Sequence, residues 1–382
     1  MRLLYVLSQF SRGGAENHVA SLVADQVQRG NEVLVLGLRE GLNHPDKFEA
    51  LLRENGAATS LPKPLFQRRL SSPALLWWLD RQIRDFNPDL IHTHLPRADI
   101  AVAACTSLRP NRLPVVSTLH GWEPRYARLV NRWLLKLTYN RATGLIAVSD
   151  WLKNETIRLG VRDRRFWVVH HGTAGRELRP GEAERIRSDL SVEFGREDLL
   201  IVGTVARLAV QKGIDVLLRA VSGLPHNFVV VILGSDEGEA DNLLNLAREL
   251  GVSARCRFVG HQEDVSEWIR AFDIFALPSR WEGFGLVLLE AGECGVPIVA
   301  TDIPPINAII RNDLDGLLVP VDDHEALGQA ILLLGSKQEL SDRLQESFSI
   351  RIESEFSEAT MMDSVNSVYS EILNYSEDST GI

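Results

Sequence analysis

The stretch Phe272-Asp-Ile-Phe-Ala-Leu-Pro278-Ser279-Arg280-Trp281-Glu282-Gly283-Phe284-Gly285-Leu286-Val-Leu-Leu-Glu290-Ala-Gly292 decides how the chain is read. Phe272 to Leu277 is a short apolar run closed by proline, which predicts a buried strand. Gly283 and Gly285 keep the next segment open, and a helix is expected from about Leu286. Glu282 then lies in a loop at a helix N-terminus, and Glu290 about a turn inside the helix. Free backbone N–H groups at such an end favour an anion, and glycines let it approach. Spacing alone leaves two readings: functional carboxylates, or a helix-start carboxylate and a solvated helix residue.

Working outward, the same strand–loop–helix grammar repeats. Arg2 to Leu7 predicts a buried strand, Ser11 to Glu16 a loop, and Val19, Leu22, Val23 and Val27 a helix face that stops at Gly30. Val33 to Leu38 predicts the next strand, so the chain opens with a parallel βαβ unit. Gly13-Gly14 is neither a dinucleotide fingerprint nor a P-loop. It does sit at the carboxyl end of a first strand, where open α/β sheets bind ligands. Strands ending at His92-Thr-His94 and at His120-Gly121 follow, then Gly144 to Ser149 and Phe166 to His170. His92 and His94, two apart on a strand, are expected to project to opposite faces and so not to share a metal. The polar run Gly175 to Glu197 is expected to hold the domain linker. A second series starts at Leu199 to Val205. It carries Arg207 after its first strand and Lys212-Gly213 before a helix through Ile214, Leu217, Leu218 and Val221. A bare lysine is unfavourable at a helix N-terminus unless an anion joins it. Asp313-Leu-Asp315-Gly316 reads as a turn rather than a metal site.

Composition narrows the class. The 382 residues suffice for two domains, and 45% apolar with 24% charged content is that of a globular protein. Cys105, Cys256 and Cys294 are too few and too scattered for a disulfide framework or a metal cluster, which points to a reducing, cytoplasmic setting. The opening apolar run is too short for a signal peptide, and no window reaches the ~18 apolar residues of a membrane span. Residues 1–175 hold 24 basic and 15 acidic residues, and the remainder 17 and 36, so a basic half precedes an acidic one. That asymmetry points to two units with different partners. No nucleic-acid recognition motif accompanies the basic half.

The segment Glu282-Gly-Phe-Gly-Leu-Val-Leu-Leu-Glu290-Ala-Gly-Glu-Cys-Gly-Val-Pro-Ile-Val-Ala-Thr301 closely resembles the Glu-x7-Glu signature of retaining glycosyltransferases of family 4, which have the GT-B fold. Gly203-Thr-Val-Ala-Arg207-Leu-x-x-Gln-Lys212-Gly213 resembles the diphosphate-clamping arginine and lysine of that family. The resemblance implies an α/β protein of GT-B architecture, two Rossmann-like parallel-sheet domains facing across a cleft. Residues 1–175 would form the acceptor-side domain, 176–357 the domain for the nucleotide sugar, and a helix near 358–375 would pack back on the first. Residues 376–382 are expected to form a frayed tail. The donor is implied to be a UDP- or GDP-sugar, with no other cofactor and no metal. Glu290 would hold the ribose hydroxyls and Glu282 the donor sugar. Gly14, Phe284, Gly285 and Leu286 would lie beside the diphosphate with Arg207 and Lys212, Val259 near the base, and His120 facing the sugar. The chain departs from the family at His171-Gly172, where Asn-Gly is usual, at Gly234-Ser-Asp-Glu-Gly238, and at Pro304-Pro305 with Ala308.

Arg125, Arg128, Arg132 and Lys136 share one side of an expected helix, Tyr126 to Tyr139. Tyr126, Leu129, Val130, Trp133, Leu134 and Leu137 fill the adjoining arc. Two readings stay open, a solvated basic face over a core stripe and a surface that docks on anionic lipid. Lys63, Arg68 and Arg69 beside Pro62, Pro64 and Phe66 make a second such patch, which favours peripheral contact with the inner face of the cell membrane. The function expected is transfer to a glycan or lipid-linked acceptor. A small soluble acceptor, a sugar-nucleotide epimerase and a non-catalytic nucleotide-binding subunit are the alternatives.

Overall fold

The structure, a computed structural model, describes residues 1–11, 14–41, 44–63, 72–107, 113–121, 129–173, 175, 179–262 and 264–380. The chain forms two compact units, Met1–His171 with Ala359–Ile382, and Gly172–Glu358. In chain order the first unit contains β1 (Arg2–Leu7), α1 (Gly14–Gln28), β2 (Glu32–Gly37), α2 (Pro45–Glu54), β3 (Ala58–Ser60) and α3 (Pro73–Phe86). It continues with β4 (Leu90–His94), α4 (Pro96–Thr106), β5 (Val115–Leu119), α5 (Leu129–Tyr139), β6 (Gly144–Ala147), α6 (Asp150–Arg158) and β7 (Phe166–Val168). The second contains α7 (Glu182–Phe194), β8 (Leu200–Val205), α8 (Ile214–Ser222), β9 (Phe228–Leu233), α9 (Ala240–Glu249), β10 (Cys256–Gly260), α10 (Ser266–Arg270) and β11 (Ile274–Leu277). Then come α11 (Leu286–Glu293), β12 (Ile298–Thr301), α12 (Pro304–Ile309), β13 (Leu317–Val319), α13 (His324–Ser336) and α14 (Gln338–Glu355). α15 (Glu358–Thr380) returns the chain to the first unit.

Both sheets are parallel throughout and run in the same order. The first is β3-β2-β1-β4-β5-β6-β7 and the second β10-β9-β8-β11-β12-β13. In each, chain order reverses beside the first strand, between β1 and β4 and between β8 and β11. Loops leaving the carboxyl ends of those two strands diverge there, and ligands of open α/β sheets bind in the resulting crevice. β1, β4, β5 and β11 are buried along almost their whole length, because helices cover both faces.

One layer of the first core brings Val19, Leu22 and Val23 of α1 against Tyr5 and Leu7 of β1, with Met361, Val365, Val368, Tyr369 and Ile372 of α15 in the same cluster. Full burial of such a side chain is worth about 1.5–3 kcal/mol. The second core is built on Leu217 and Val221 of α8, Val230 and Ile232 of β9, and Leu327 and Ile331 of α13.

Two expectations change here. The run from Gly175 to Glu197, expected to hold the domain linker, is mostly the helix α7: Ala183, Ile186 and Leu190 make a narrow buried stripe in a polar background. The last helix runs on to Thr380, past the expected tail boundary, since no proline or glycine intervenes before Gly381. Among the described residues no helix is long and apolar enough to cross a membrane.

Candidate functional site

In the second unit, two loops meet at the switch point. The loop after β8 carries Arg207 and Lys212, and the loop after β11 carries Ser279 to Gly285. A glycine holds the two loops together. Gly213 has φ +63, and a Cβ there would lie 2.0 Å from the Pro278 carbonyl oxygen, so no other residue lets them approach this closely. Lys212 Nζ then lies 2.6 Å from Glu282 Oε1. Glu282 is 6% exposed, and Ser279 Oγ donates to the same oxygen at 2.6 Å. A buried carboxylate needs both a counter-charge and hydrogen bonds, and this one has them. Arg207 is exposed and pairs with Glu237 at 2.6 Å. Gln211 joins the two cations' loops: it accepts from Arg207 Nη2 at 3.2 Å and donates to the Trp281 carbonyl at 2.8 Å. Arg280 fixes the base of the same loop, bound to Asp215 at 2.7 Å and Asp322 at 2.7 Å. Salt-linked Asp215 and Asp322 hold its guanidinium above the usual range, against the effect of burial.

α11 begins where Gly285, at φ +101, turns the chain. Its first-turn amides, from Leu286 on, carry the positive end of the helix dipole. Phe284 is 4% exposed and stacks edge-on to Phe356 at 6.3 Å, so its ring belongs to the core and only its backbone is offered to a ligand. Glu290 is half-buried and lies further along α11. On the sheet edge, the β9–β10 register shifts between Phe258 and Gly260, which leaves Val259 as the extra residue of a bulge. A bulged residue has its backbone groups outside the ladder, a local signal that spacing in the sequence does not carry.

In the first unit the switch point is lined by histidines. His94 ends β4, His120 follows β5, His18 lies one turn into α1 after Gly14, and His171 follows β7. His94 Nδ1 is 2.9 Å from His120 Nε2, His120 Nδ1 is 3.4 Å from His171 Nε2, and His171 Nδ1 is 3.2 Å from His18 Nδ1. The expected divergence of His92 and His94 is wrong. Strand side chains alternate with period two, so residues two apart share a face, and these rings lie 4.2 Å apart. His92 is held by Tyr369 of α15 at 2.6 Å and by Thr118 at 2.7 Å. Burial lowers all these imidazoles below their ordinary value, His18 to about 4, and their mutual proximity lowers His92, His94, His120 and His171 further. Each therefore stands neutral at pH 7. Gly14 is exposed at the first position of α1, and burial raises the carboxyl of its neighbour Glu16. His18 was not singled out from the sequence; its place one turn after the glycine loop was the available signal.

The remaining expectations fall as follows. Arg125, Arg128, Arg68, Arg69, Pro64 and Phe66 lie outside the described residues. Arg132 and Lys136 are exposed on α5, but Arg132 also donates to the Arg158 and Leu159 carbonyls at the end of α6. Trp133 and Leu137 are not part of a core stripe: they are 65% and 37% exposed, while Leu135, Thr138 and Tyr139 face inward. Asp315 is fully engaged by Arg311 at 2.7 Å, Arg351 at 3.1 Å and Ser347 at 3.0 Å, a structural cluster. Pro304 and Pro305 open α12, where a first-turn proline loses no hydrogen bond.

A family model described as glycosyl transferases group 1 matches residues 187–348, and one described as glycosyltransferase family 4 matches residues 12–174. A D-inositol 3-phosphate glycosyltransferase of Mycobacterium tuberculosis is 36% identical over 186 residues, which are 47% of this chain and 38% of that protein. Among solved structures, Anabaena Alr3699/HepE in complex with UDP and glucose superposes with a TM-score of 0.86 at 22% identity, over 97% of this chain and 100% of that one. A sucrose-phosphate synthase from Thermosynechococcus elongatus gives 0.82 at 20% identity over 98% and 100%. WaaG, a glycosyltransferase involved in lipopolysaccharide biosynthesis, gives 0.71 at 17% identity over 96% and 99%.

Proposed function

We propose that this chain, which belongs to the family 4 glycosyltransferases of the GT-B fold, moves a sugar from a nucleoside diphosphate to a hydroxyl acceptor with retention at the anomeric carbon. The observation that carries the reading is the constellation of Arg207, Lys212 and Glu282 at the second unit's switch point, one loop before the N-terminus of α11. Breaking the anomeric bond loads negative charge onto the diphosphate, and fixed donors aimed at that charge lower the barrier. Arg207 offers a planar fork and Lys212 a point charge. The Phe284–Leu286 amides add the helix end. In this reading the diphosphate replaces Glu237 and Glu282 as partner of the two cations, with no metal needed. Glu282, released, takes hydroxyls of the donor sugar, Glu290 takes the ribose, and the backbone at Val259 takes the base. His120, neutral, is available to a substrate hydroxyl. The HepE structures hold UDP and UDP-glucose, which supports a uridine donor here.

The acceptor proposed is a lipid-linked or polysaccharide intermediate at the cytoplasmic membrane face. Exposed Trp133 and Leu137 beside Arg132 and Lys136 on α5 support it, since such a face inserts rings and pairs with anionic headgroups. A small soluble acceptor is the second reading, favoured by the name of the D-inositol 3-phosphate relatives. One experiment serves both. A panel of UDP- and GDP-sugars is screened by thermal shift, and the matching donor is then offered with vesicle-borne or soluble acceptors while NMR reads the product anomer. Stabilisation by one donor, turnover and a retained anomer are expected. Inversion would refute the retaining assignment, and activity on soluble acceptors with no binding to anionic vesicles would refute the membrane one.

A further inference from the structure

The histidine cluster of the first unit has a property that sugar transfer does not require. One ring nitrogen from each of His18, His94 and His120 can be chosen so that all three lie within 4.8 Å of one another. A tetrahedral ion with nitrogen ligands at 2.0–2.1 Å sets its ligand atoms about 3.3 Å apart. The cluster therefore needs only side-chain adjustments to close on an ion. The three rings come from three different elements, α1, the end of β4 and the loop after β5, so the parallel sheet and α1 fix their spacing rather than one mobile loop.

We propose that His18, His94 and His120 form a binding site for a divalent transition-metal ion of the Zn²⁺ class, with His171 as the hydrogen-bond partner behind them.

Two observations select this ligand class. The donor set is all imidazole nitrogen, which suits Zn²⁺, Cu²⁺ or Ni²⁺ and not the hard ions Mg²⁺ and Ca²⁺. The proton-only network also does not satisfy its own members: His94 Nε2 is buried with no hydrogen-bond partner among the described residues. Ligating histidines ordinarily direct their second nitrogen to an outer acceptor. Here His171 Nε2 lies 3.4 Å from His120 Nδ1 and His171 Nδ1 lies 3.2 Å from His18 Nδ1, so it can accept from one of the two. Three protein ligands leave a fourth position for water, hydroxide or an anion. Because His120 is one of the three, occupation by the ion withdraws its ring from substrate, and the site would restrain rather than drive transfer.

The test uses untagged, chelator-stripped full-length protein and no sugar nucleotide, so its outcome is independent of the transfer reading. Equilibrium dialysis against Zn²⁺, and separately Mg²⁺, is expected to give one tightly held Zn²⁺ per chain and no Mg²⁺. Co²⁺ is expected to show the intense visible absorption of four-coordinate geometry. His94→Gln and His18→Gln should abolish the stoichiometric ion, and His171→Gln should weaken it by about 10–100-fold. Circular dichroism checks that each variant folds. Where a variant does not, the Co²⁺ spectrum of the wild type decides. A weak, six-coordinate spectrum, retention of Zn²⁺ by folded His94→Gln, or no binding at about tenfold excess of Zn²⁺ would overturn the proposal.

Discussion

The two units have the same strand order and opposite interiors. Around its switch point the second unit handles polarity with full charges: Lys212 with Glu282, Arg207 with Glu237, Arg280 between Asp215 and Asp322. The first handles it with neutral groups. His94, His120, His171 and His18 run as a hydrogen-bonded chain, Tyr5 and Tyr369 join hydroxyls beside His92, and Asp99 is surrounded by hydroxyl groups. Net charge runs the other way, since the first half of the sequence is basic and the second acidic. Surface charge and site charge are thus separate properties. The scaffold only delivers loop ends to one place, and the residues there decide whether the place suits a diphosphate or an uncharged polyhydroxyl group.

The largest effect should come from breaking the charged site. Lys212→Ala is expected to lower kcat with the cognate donor by about 10²–10³-fold, the loss typical of one oxyanion donor. The same change leaves Glu282 buried with Ser279 Oγ as its one donor among the described residues, so donor-free thermal stability should fall too. Glu282→Gln in the Lys212→Ala background should recover that stability and not the turnover. Turnover within twofold of wild type in Lys212→Ala would remove the lysine from the donor site.

Most of this contrast was legible in the charged unit and little of it in the neutral one. Glu282, Glu290, Arg207 and Lys212 stand in contiguous stretches with glycines at fixed offsets, because the loops that carry them follow directly after strands. The GT-B fold followed from those stretches and the repeated strand–loop–helix grammar. The histidine cluster draws on residues 18, 94, 120 and 171, each on a separate element, and only the sheet order brings them together. The His92/His94 reading failed for a simpler reason, a misapplied strand period. α7 was hidden because a stripe of only Ala183, Ile186 and Leu190 is faint among charges. Trp133 and Leu137 were assigned inward since an apolar residue in a helix is usually a core residue, and here that rule gives the wrong face.

An intermediate effect is expected where a backbone contact, not a charge, makes the site. Gly213→Ala places a methyl group against the Pro278 carbonyl and forces a residue with a Cβ to hold φ +63. Strain of this kind costs about 1–3 kcal/mol before any clash. Chemical denaturation should show that loss in the second unit. Donor affinity should drop as the Lys212 and Glu282 loops separate. Gly195→Ala, also at positive φ but with nothing within 4 Å of its Cβ, is the control that carries the φ cost alone. Equal losses in the two variants would show that the close approach to Pro278 does not matter.

The last comparison is a difference in sign between two buried carboxyls, one in each unit. Burial raises Asp99 from 3.8 to about 7, opposed by hydrogen bonds from Thr93 at 2.5 Å, Tyr139 at 3.2 Å and Ser117. Its folded state keeps the proton where the unfolded chain has lost it. The stability this gives is fully present below pH 3.8 and is lost as pH rises to about 7, a change of about 4 kcal/mol at most. Burial also acts to raise Asp315, but hydrogen bonds from Arg311 and Ser347 prevail and hold it below the ordinary value. Its contribution is present above the unfolded pKa and lost as pH falls through the lower folded one. The stability of wild type relative to Asp99→Asn should therefore decline from pH 4 to 7, while wild type relative to Asp315→Asn stays level over that range and shrinks only below it. Urea titrations at pH 4, 5, 6 and 7, with hydrogen exchange assigning each transition to its unit, read both differences. A decline for Asp315, or none for Asp99, would mean that the contrast between ionic and neutral interiors does not extend beyond the two switch points.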